Sequence, residues 1–278
     1  MLKRNRKITG GIFSGLGLSV LIVISLWPIV WMILSSLKPN KEFFSFPVKY
    51  LPSFWTLEHY ARIFSESNFL KALTNSFIVS FFTVIVSLIL SIPAGYAFAR
   101  FKFPGRNALL IGMLALQFVP SIVLIVPFFI MIVKLRLIDS LMSVIITYPA
   151  FTVPFCIWLL TGFFSAIPKE LEEAAKVDGC NLRQSLLKVI IPVAIPGIVS
   201  AGLYSFIWAW QEYLLAMVFL SQNNIQTAPV ALTFFMGEMT TDWTGLMAAA
   251  VLMSIPVFPF MYFARFYQQG IAASGIKG

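Results

Sequence analysis

Six long apolar runs, at about 12–36, 72–99, 107–133, 142–164, 197–220 and 245–266, constrain this chain more than any other feature. Each is long enough to cross the hydrocarbon core of a bilayer as a helix, which takes roughly 20 residues. In hydrocarbon every backbone N–H and C=O must find an internal partner, so only helices and closed barrels span. Barrel strands are short and alternate in polarity, whereas these runs are longer and almost uniformly apolar. The expected fold class is therefore all-α and polytopic, with six transmembrane helices forming a single membrane domain over residues 1–278. Composition agrees: 59% of the residues are hydrophobic, 11% are charged, and the mean hydropathy is +0.88. Such a balance makes lipid the main solvent and leaves little chain for a soluble domain.

Lys3, Arg4, Arg6 and Lys7 precede the first run, the arrangement of a signal peptide. The run is too long for one, and no small-residue cleavage site follows, so an uncleaved first span is expected. Cytoplasmic loops carry an excess of Lys and Arg. With the N-terminus inside, thirteen of the 20 basic residues fall on the inner side, so both termini and the loop 165–196 are expected to face the cytoplasm. Residues 38–70 and 221–244 then become extracytoplasmic loops. The net charge of +9 follows from this topology and from attraction to anionic lipid; no basic stripe alternates with exposed aromatics as a nucleic-acid partner would require.

Several chemistries are closed off. Cys156 falls inside the fourth run and Cys180 in an inner loop, which argues against a disulfide. The single histidine, His59, assembles neither a metal site nor a catalytic triad. Glycines in the tail 270–278 superficially resemble a phosphate loop, but no Gly-Lys-Ser/Thr ending is present and no strand precedes them. If nucleotide energy drives this protein, another subunit binds the nucleotide.

The inner loop 165–196 stands out as a charged, Gly-broken amphipathic segment between spans. Pro168 suits a first helical position, with Glu170, Glu172 and Glu173 in or near the first turn, where negative charge complements the helix dipole. Leu171, Ala174 and Ala175 repeat on one face, small alanines that would let another protein approach closely. Gly179 fits the left-handed residue that ends the helix, and Asn181 with Gln184 three residues later reads as a capping box for a second helix. Leu182, Ser185, Leu186 and Val189 continue one face, and Pro192 and Pro196 are expected to stop that second helix before the fifth span. On physics alone, a helical connector lying on lipid headgroups explains these residues as well as a docking element does.

Spacing separates the two. Glu173-Ala174-Ala175, three residues, Gly179, nine residues, then Val189-Ile190-Ile191-Pro192 closely resembles the EAA loop of ABC importer permeases, with Val189, Ile191 and Cys180 as conservative departures. The resemblance implies that the loop docks in a cleft of a cytoplasmic ATPase subunit, with Glu173, Ala174, Ala175, Asp178, Gly179 and Pro192 as coupling positions. Gly95 to Arg106 (GYAFARFKFPGR), Asn75-Ser76, Pro154-Phe155, Pro229 to Leu232 and the ending from Gly270 to Gly278 narrow the likeness to the second-permease branch of maltose-type carbohydrate importers. What this implies is a bacterial or archaeal inner-membrane subunit that carries out no bond chemistry. Its implied partners are a second homologous permease, two ABC ATPase subunits that bind ATP and Mg, an extracytoplasmic sugar-binding protein and a carbohydrate. No cofactor is implied in this chain.

Read without that likeness, Trp208, Trp210, Gln211, Glu212 and Tyr213 concentrate polar and aromatic groups within an apolar run. A carboxylate at membrane depth demands a protein or water-lined environment, so Glu212 is expected to face the bundle interior. Either it makes a structural bond or reaches the interface, or this cluster lines the passage, with aromatic faces for sugar rings and amides for hydroxyls. Asn75 near the outer mouth of the second span is a lesser candidate for the same path, and equally a helix-to-helix hydrogen-bonding residue. Prolines at 28, 93, 120, 127, 149, 154, 256 and 259 are expected to kink their helices. The aromatics of 38–70 suit either the interfacial belt or an external partner. A secondary transporter would need its own ion-coupling groups and often an internal repeat, neither of which is evident. A permease for an amino acid, phosphate or polyamine is the nearest alternative, because the EAA pattern alone does not select a substrate.

Overall fold

The computed structural model describes residues 2–66, 68–237 and 241–259, with the side chains of 2–16 and 66 excluded; the tail motif 270–278, Glu238 and the end of the sixth run lie outside the described residues. Helix dominates, and the described residues hold no β-strand beyond one isolated bridge between Met236 and Thr241. Among the described residues, three helices are long and apolar enough to cross a membrane without interruption: Gly17–Ser36, Phe69–Arg100 and Leu141–Ala166.

Two of the expected spans are broken. The third run divides into Arg106–Phe118 and Ser121–Lys134, bent by 95°, and the second inner-loop helix meets the fifth run as Leu182–Val193 and Ile195–Gln211, bent by 78°. Pro120 explains the first break, since its ring removes an N–H and clashes with the preceding turn. The sixth run is seen as Trp243–Ser254 followed by a 3-10 turn, Ile255–Val257.

The described chain forms two compact units. One gathers the chain up to residue 67 with residues 232–254. In it the first helix packs on Trp243–Ser254, beside the short helices Asn40–Phe43 and Glu58–Glu66. A polar knot holds this unit: Arg62 pairs with Asp242, the Thr244 hydroxyl bonds Asn40, and the buried His59 places Nε2 2.8 Å from the Lys38 carbonyl. The histidine thus serves as a bridge between loop and helix. Lys38 Nζ donates to the Lys49 carbonyl at 2.6 Å and lies 4.3 Å from the Trp31 ring centroid.

The other unit is built mainly from residues 68–231. Its axis is Phe69–Arg100, which packs along Pro149–Ala166 and Ile195–Gln211. Ser76, Ser80, Thr83, Ser87, Ser91 and Gly95 are buried at three- and four-residue spacing, a single stripe of small side chains. In lipid, where apolar burial does not drive helix association, small residues allow close backbones and hydroxyls that bond across the seam. Ser87 and Thr152 hydroxyls lie 2.7 Å apart. A Cβ on Gly95 would stand 2.9 Å from Leu160 Cβ and 3.3 Å from the Thr161 nitrogen, so this crossing requires glycine. Two apolar clusters flank the seam, one around Tyr96, Leu160, Phe164 and Ile190, the other around Val79, Ile132, Tyr148, Leu215 and Phe219.

Candidate functional site

The inner loop forms the helix Glu170–Val177. Pro168 lies outside it, two residues before the first helical turn, with Lys169 at the N-cap. The helix ends on a Schellman pattern: the Cys180 N–H reaches the Ala175 carbonyl at 2.9 Å, the Gly179 N–H reaches Lys176 at 3.0 Å, and Gly179 has φ +81°. A Cβ there would meet nothing within 4 Å, so the demand for glycine comes from the backbone alone. The capping box on Asn181 is present, with both reciprocal bonds to Gln184 at 2.9 Å.

Two expectations for this loop are corrected. Ala174 and Ala175 do not share a face: Ala175 is buried against the body, while Leu171, Ala174 and Val177 point outward, Val177 being 88% exposed. The helical period, with about 100° per residue, separates adjacent positions. Nor does Pro192 stop the second helix. After Leu182–Ser185 the chain widens into a π-turn over Leu186–Ile190 and continues helically through Ile191–Val193, breaking at Ala194. Proline is tolerated at the start of a fresh helical turn, where its missing N–H is not needed. Pro196 likewise sits in the first turn of Ile195–Gln211.

The residue that anchors the loop was not singled out by its sequence pattern. Glu172 is buried: one carboxylate oxygen pairs with Arg100 Nε, and the other accepts a 2.9 Å hydrogen bond from the Tyr96 hydroxyl. Arg100 also donates from Nη2 to the Ile167 carbonyl at 2.9 Å. A cleft lined by Tyr96, Arg100, Lys169, Glu172, Glu173 and Lys176 opens beside this pair. Glu173, Asp178 and Gly179 remain exposed on the loop's outer side.

The fifth run is discontinuous. Ile195–Gln211 ends at Glu212, and Leu214–Phe219 begins after Tyr213. The freed N–H groups of Leu215 and Ala216 bond the Glu212 carboxylate at 2.9 and 3.1 Å, and Tyr148 donates to it at 2.7 Å. Glu212 therefore caps a half-helix and bridges to Tyr148 at the junction of two other helices. Trp208 stacks on Phe151, with centroids 5.1 Å apart, and meets Tyr148 edge-on. Trp210 points elsewhere and stacks on Phe206. Gln211 is exposed and Tyr213 half-buried. So Trp208, Glu212 and the unforeseen Tyr148 and Phe151 come together, while Trp210 does not join them. Asn75 belongs to a different place: its amide donates to the Gln226 carbonyl at 2.9 Å, and the neighbouring Ser76 hydroxyl accepts from Ala228 N–H at 2.7 Å.

Outside the spans, Asp139 accepts from the Ser221 hydroxyl at 2.8 Å and from Ser221 N–H at 2.7 Å. The Ser221 hydroxyl bond, with backbone help, holds its carboxyl below the usual carboxylate range. Burial of the Lys38 ammonium lowers its pKa, opposed by Glu42.

Comparison with known proteins agrees with this architecture. The family described as "Binding-protein-dependent transport system inner membrane component" matches residues 88–272. The chain is 34% identical to a sulfoquinovosyl glycerol transport system permease protein of Agrobacterium fabrum, over 94% of this chain and 92% of that protein. It is 36% identical to a trehalose transport system permease protein of Mycobacterium tuberculosis, over 94% of this chain and 95% of that protein. Among solved structures, a chain of a bacterial ABC transporter involved in the import of the acidic polysaccharide alginate superposes with a TM-score of 0.79 at 25% identity, covering 92% of this chain and 95% of that one.

Proposed function

The chain belongs to the family of binding-protein-dependent transport system inner membrane components, and we propose that it is the permease subunit of an ABC importer for a carbohydrate. The observation that carries this reading is the loop helix itself: a Glu173-Ala174-Ala175 segment closed by a left-handed Gly179, with Leu171, Ala174 and Val177 unpartnered on its outer face. A helix of this size, anchored on one side and exposing Leu171, Ala174 and Val177 among charged residues on the other, suits the cleft of a cytoplasmic ATPase. The permease relatives for a sulfoquinovosyl glycerol and for trehalose support a sugar as the cargo.

In this reading the chain crosses the inner membrane six times with both termini in the cytoplasm; the bent pair Arg106–Phe118 and Ser121–Lys134 counts as one span, Ile195–Gln211 with Leu214–Phe219 as another, and Trp243–Val257 begins the sixth. Loops 38–70 and 221–244 face outward toward a sugar-binding protein. A second, homologous permease completes the passage, and two ATPase subunits bind ATP and Mg and hydrolyse the nucleotide. ATP closes the ATPase dimer, the loop helix moves with its cleft, and the bundle passes from inward-open to outward-open. Sugar delivered by the binding protein enters the passage and leaves inside after hydrolysis. Trp208, Gln211, Glu212 and Tyr213 line that passage, where the aromatic face opposes a sugar ring and Gln211 presents an amide to hydroxyls.

The test is reconstitution of the full importer in proteoliposomes, with ATP inside and a panel of sugars offered to the binding protein outside. ATP-dependent uptake of a sugar supports the proposal. Uptake driven by an ion gradient without ATP, or a crosslinking map in which residues 170–185 contact only lipid, overturns it.

A further inference from the structure

We infer that Phe69–Arg100 is a transmission rod, latched to the loop helix at its inner end by Glu172 and to the extracytoplasmic loop at its outer end by Asn75 and Ser76. This inference rests on the proposed role of the loop helix as the ATPase contact. At the inner end, Tyr96 and Arg100 lie one helical turn apart and engage both oxygens of the Glu172 carboxylate, while Arg100 also holds the Ile167 carbonyl that precedes the loop helix. The Arg100 and Glu172 side chains are only 7% and 10% exposed. A paired charge in such a site resists separation, because pulling it apart leaves an uncompensated buried ion. The loop helix and the rod therefore move together.

At the outer end the same helix grips a different segment. The Asn75 amide donates to the Gln226 carbonyl at 2.9 Å, and Ser76 accepts from Ala228 N–H at 2.7 Å. Those backbone groups belong to loop 221–231, which has little regular structure of its own before Ala228–Ala231. From Asn75 to Arg100 the helix is continuous, about 38 Å at the rise of an α-helix. The helix runs uninterrupted past Pro93, so a displacement of the inner end reaches the outer loop through a single continuous element, the kind of contiguous packed path that carries coupling between distant sites. Tyr96, Arg100 and Glu172 are positioning residues here, and Asn75 and Ser76 are their counterparts outside.

The experiment uses the complete importer with a spin label on an Asn223→Cys variant in the outer loop and a second label on the binding-protein-free permease partner as reference. Distances are measured before and after trapping the ATPase with ATP and vanadate. In the parent complex the trapped state shifts the Asn223→Cys distance distribution. Glu172→Gln reduces the shifted fraction by roughly fivefold or more, the range of ordinary coupling energies, although the ATPase still co-purifies. Tyr96→Phe removes only one hydroxyl, keeps the fold, and reduces the shift less but in the same direction. Asn75→Ala abolishes the shift at Asn223→Cys while a label on the loop helix still responds to trapping. An equal shift in the parent and in both Tyr96→Phe and Glu172→Gln overturns the rod, as does a silent label in a parent complex that contains its ATPase. A purified parent complex that never retains an ATPase instead defeats the underlying functional reading.

Discussion

Glu172 and Glu212 are both acidic residues drawn into the packed unit, and they are compensated in opposite ways. Glu172, in the loop helix, is met by a full opposite charge from Arg100 and by the Tyr96 hydroxyl. Glu212, in the interrupted fifth run, is met by two backbone N–H groups at the start of a half-helix and by the Tyr148 hydroxyl. The first arrangement joins two segments 72 residues apart and resists any separation of them. The second is mostly local: three and four residues separate the carboxylate from the N–H groups it accepts. A charge fixed by a charge suits an element that must transmit displacement. A charge fixed by dipoles can stay put while helices around it rearrange.

The difference predicts a hierarchy of mutational costs. Arg100→Met leaves the Glu172 carboxylate buried without its counterion and costs roughly 3–5 kcal/mol. Thermal unfolding of the detergent-purified complex is expected to show the largest loss for this variant, and a wild-type melting temperature would break the comparison. Gly179→Val follows, costing about 1–2 kcal/mol from left-handed backbone strain alone, because the site has space for a side chain. Gly179→Asn, which tolerates that conformation, retains most function. ATP-coupled uptake separates the pair, and normal uptake with valine at 179 contradicts the assigned role of the turn.

Much of this architecture was legible in the chain. The apolar runs locate the helices because lipid permits few alternatives, and Gly179 and Asn181 announce their turn and cap because those conformations favour few residue types. The expected bend at Pro120 is present, at 95°. Sequence and structure part where tertiary contacts decide: Gln211-Glu212-Tyr213 reads as a polar patch on a continuous span and is the break itself. A polar triplet within an apolar run, able to satisfy freed backbone groups, was the available signal. Glu172 was seen only as a complement to the helix dipole. Nothing periodic links it to Arg100, and three adjacent glutamates offer no local ground for choosing the buried one.

Glu212 tests the weaker half of the comparison. Glu212→Gln keeps an acceptor for the N–H groups but removes its charge, and is expected to cost about 1–2 kcal/mol, as for other charge-assisted hydrogen bonds. Tyr148→Phe removes one donor to the same carboxylate and costs about 1 kcal/mol. A loss at Glu212 exceeding that at Arg100 would invert the ordering and assign the rigid joint to the interrupted span.

Asp139 supplies the smallest case, a carboxylate held by the hydroxyl and N–H of Ser221 and by Gln222, with no ion pair among the described residues. Its pKa is lowered in the folded protein, so its contribution is present above the ordinary carboxylate range and disappears as pH falls through the lowered value. Hydrogen exchange at Ser221 and Gln222 is therefore expected to accelerate on acidification beyond that point, after correction for intrinsic rates. Asp139→Asn removes this acid dependence while lowering protection only slightly at neutral pH, because an exposed bond contributes little net stability.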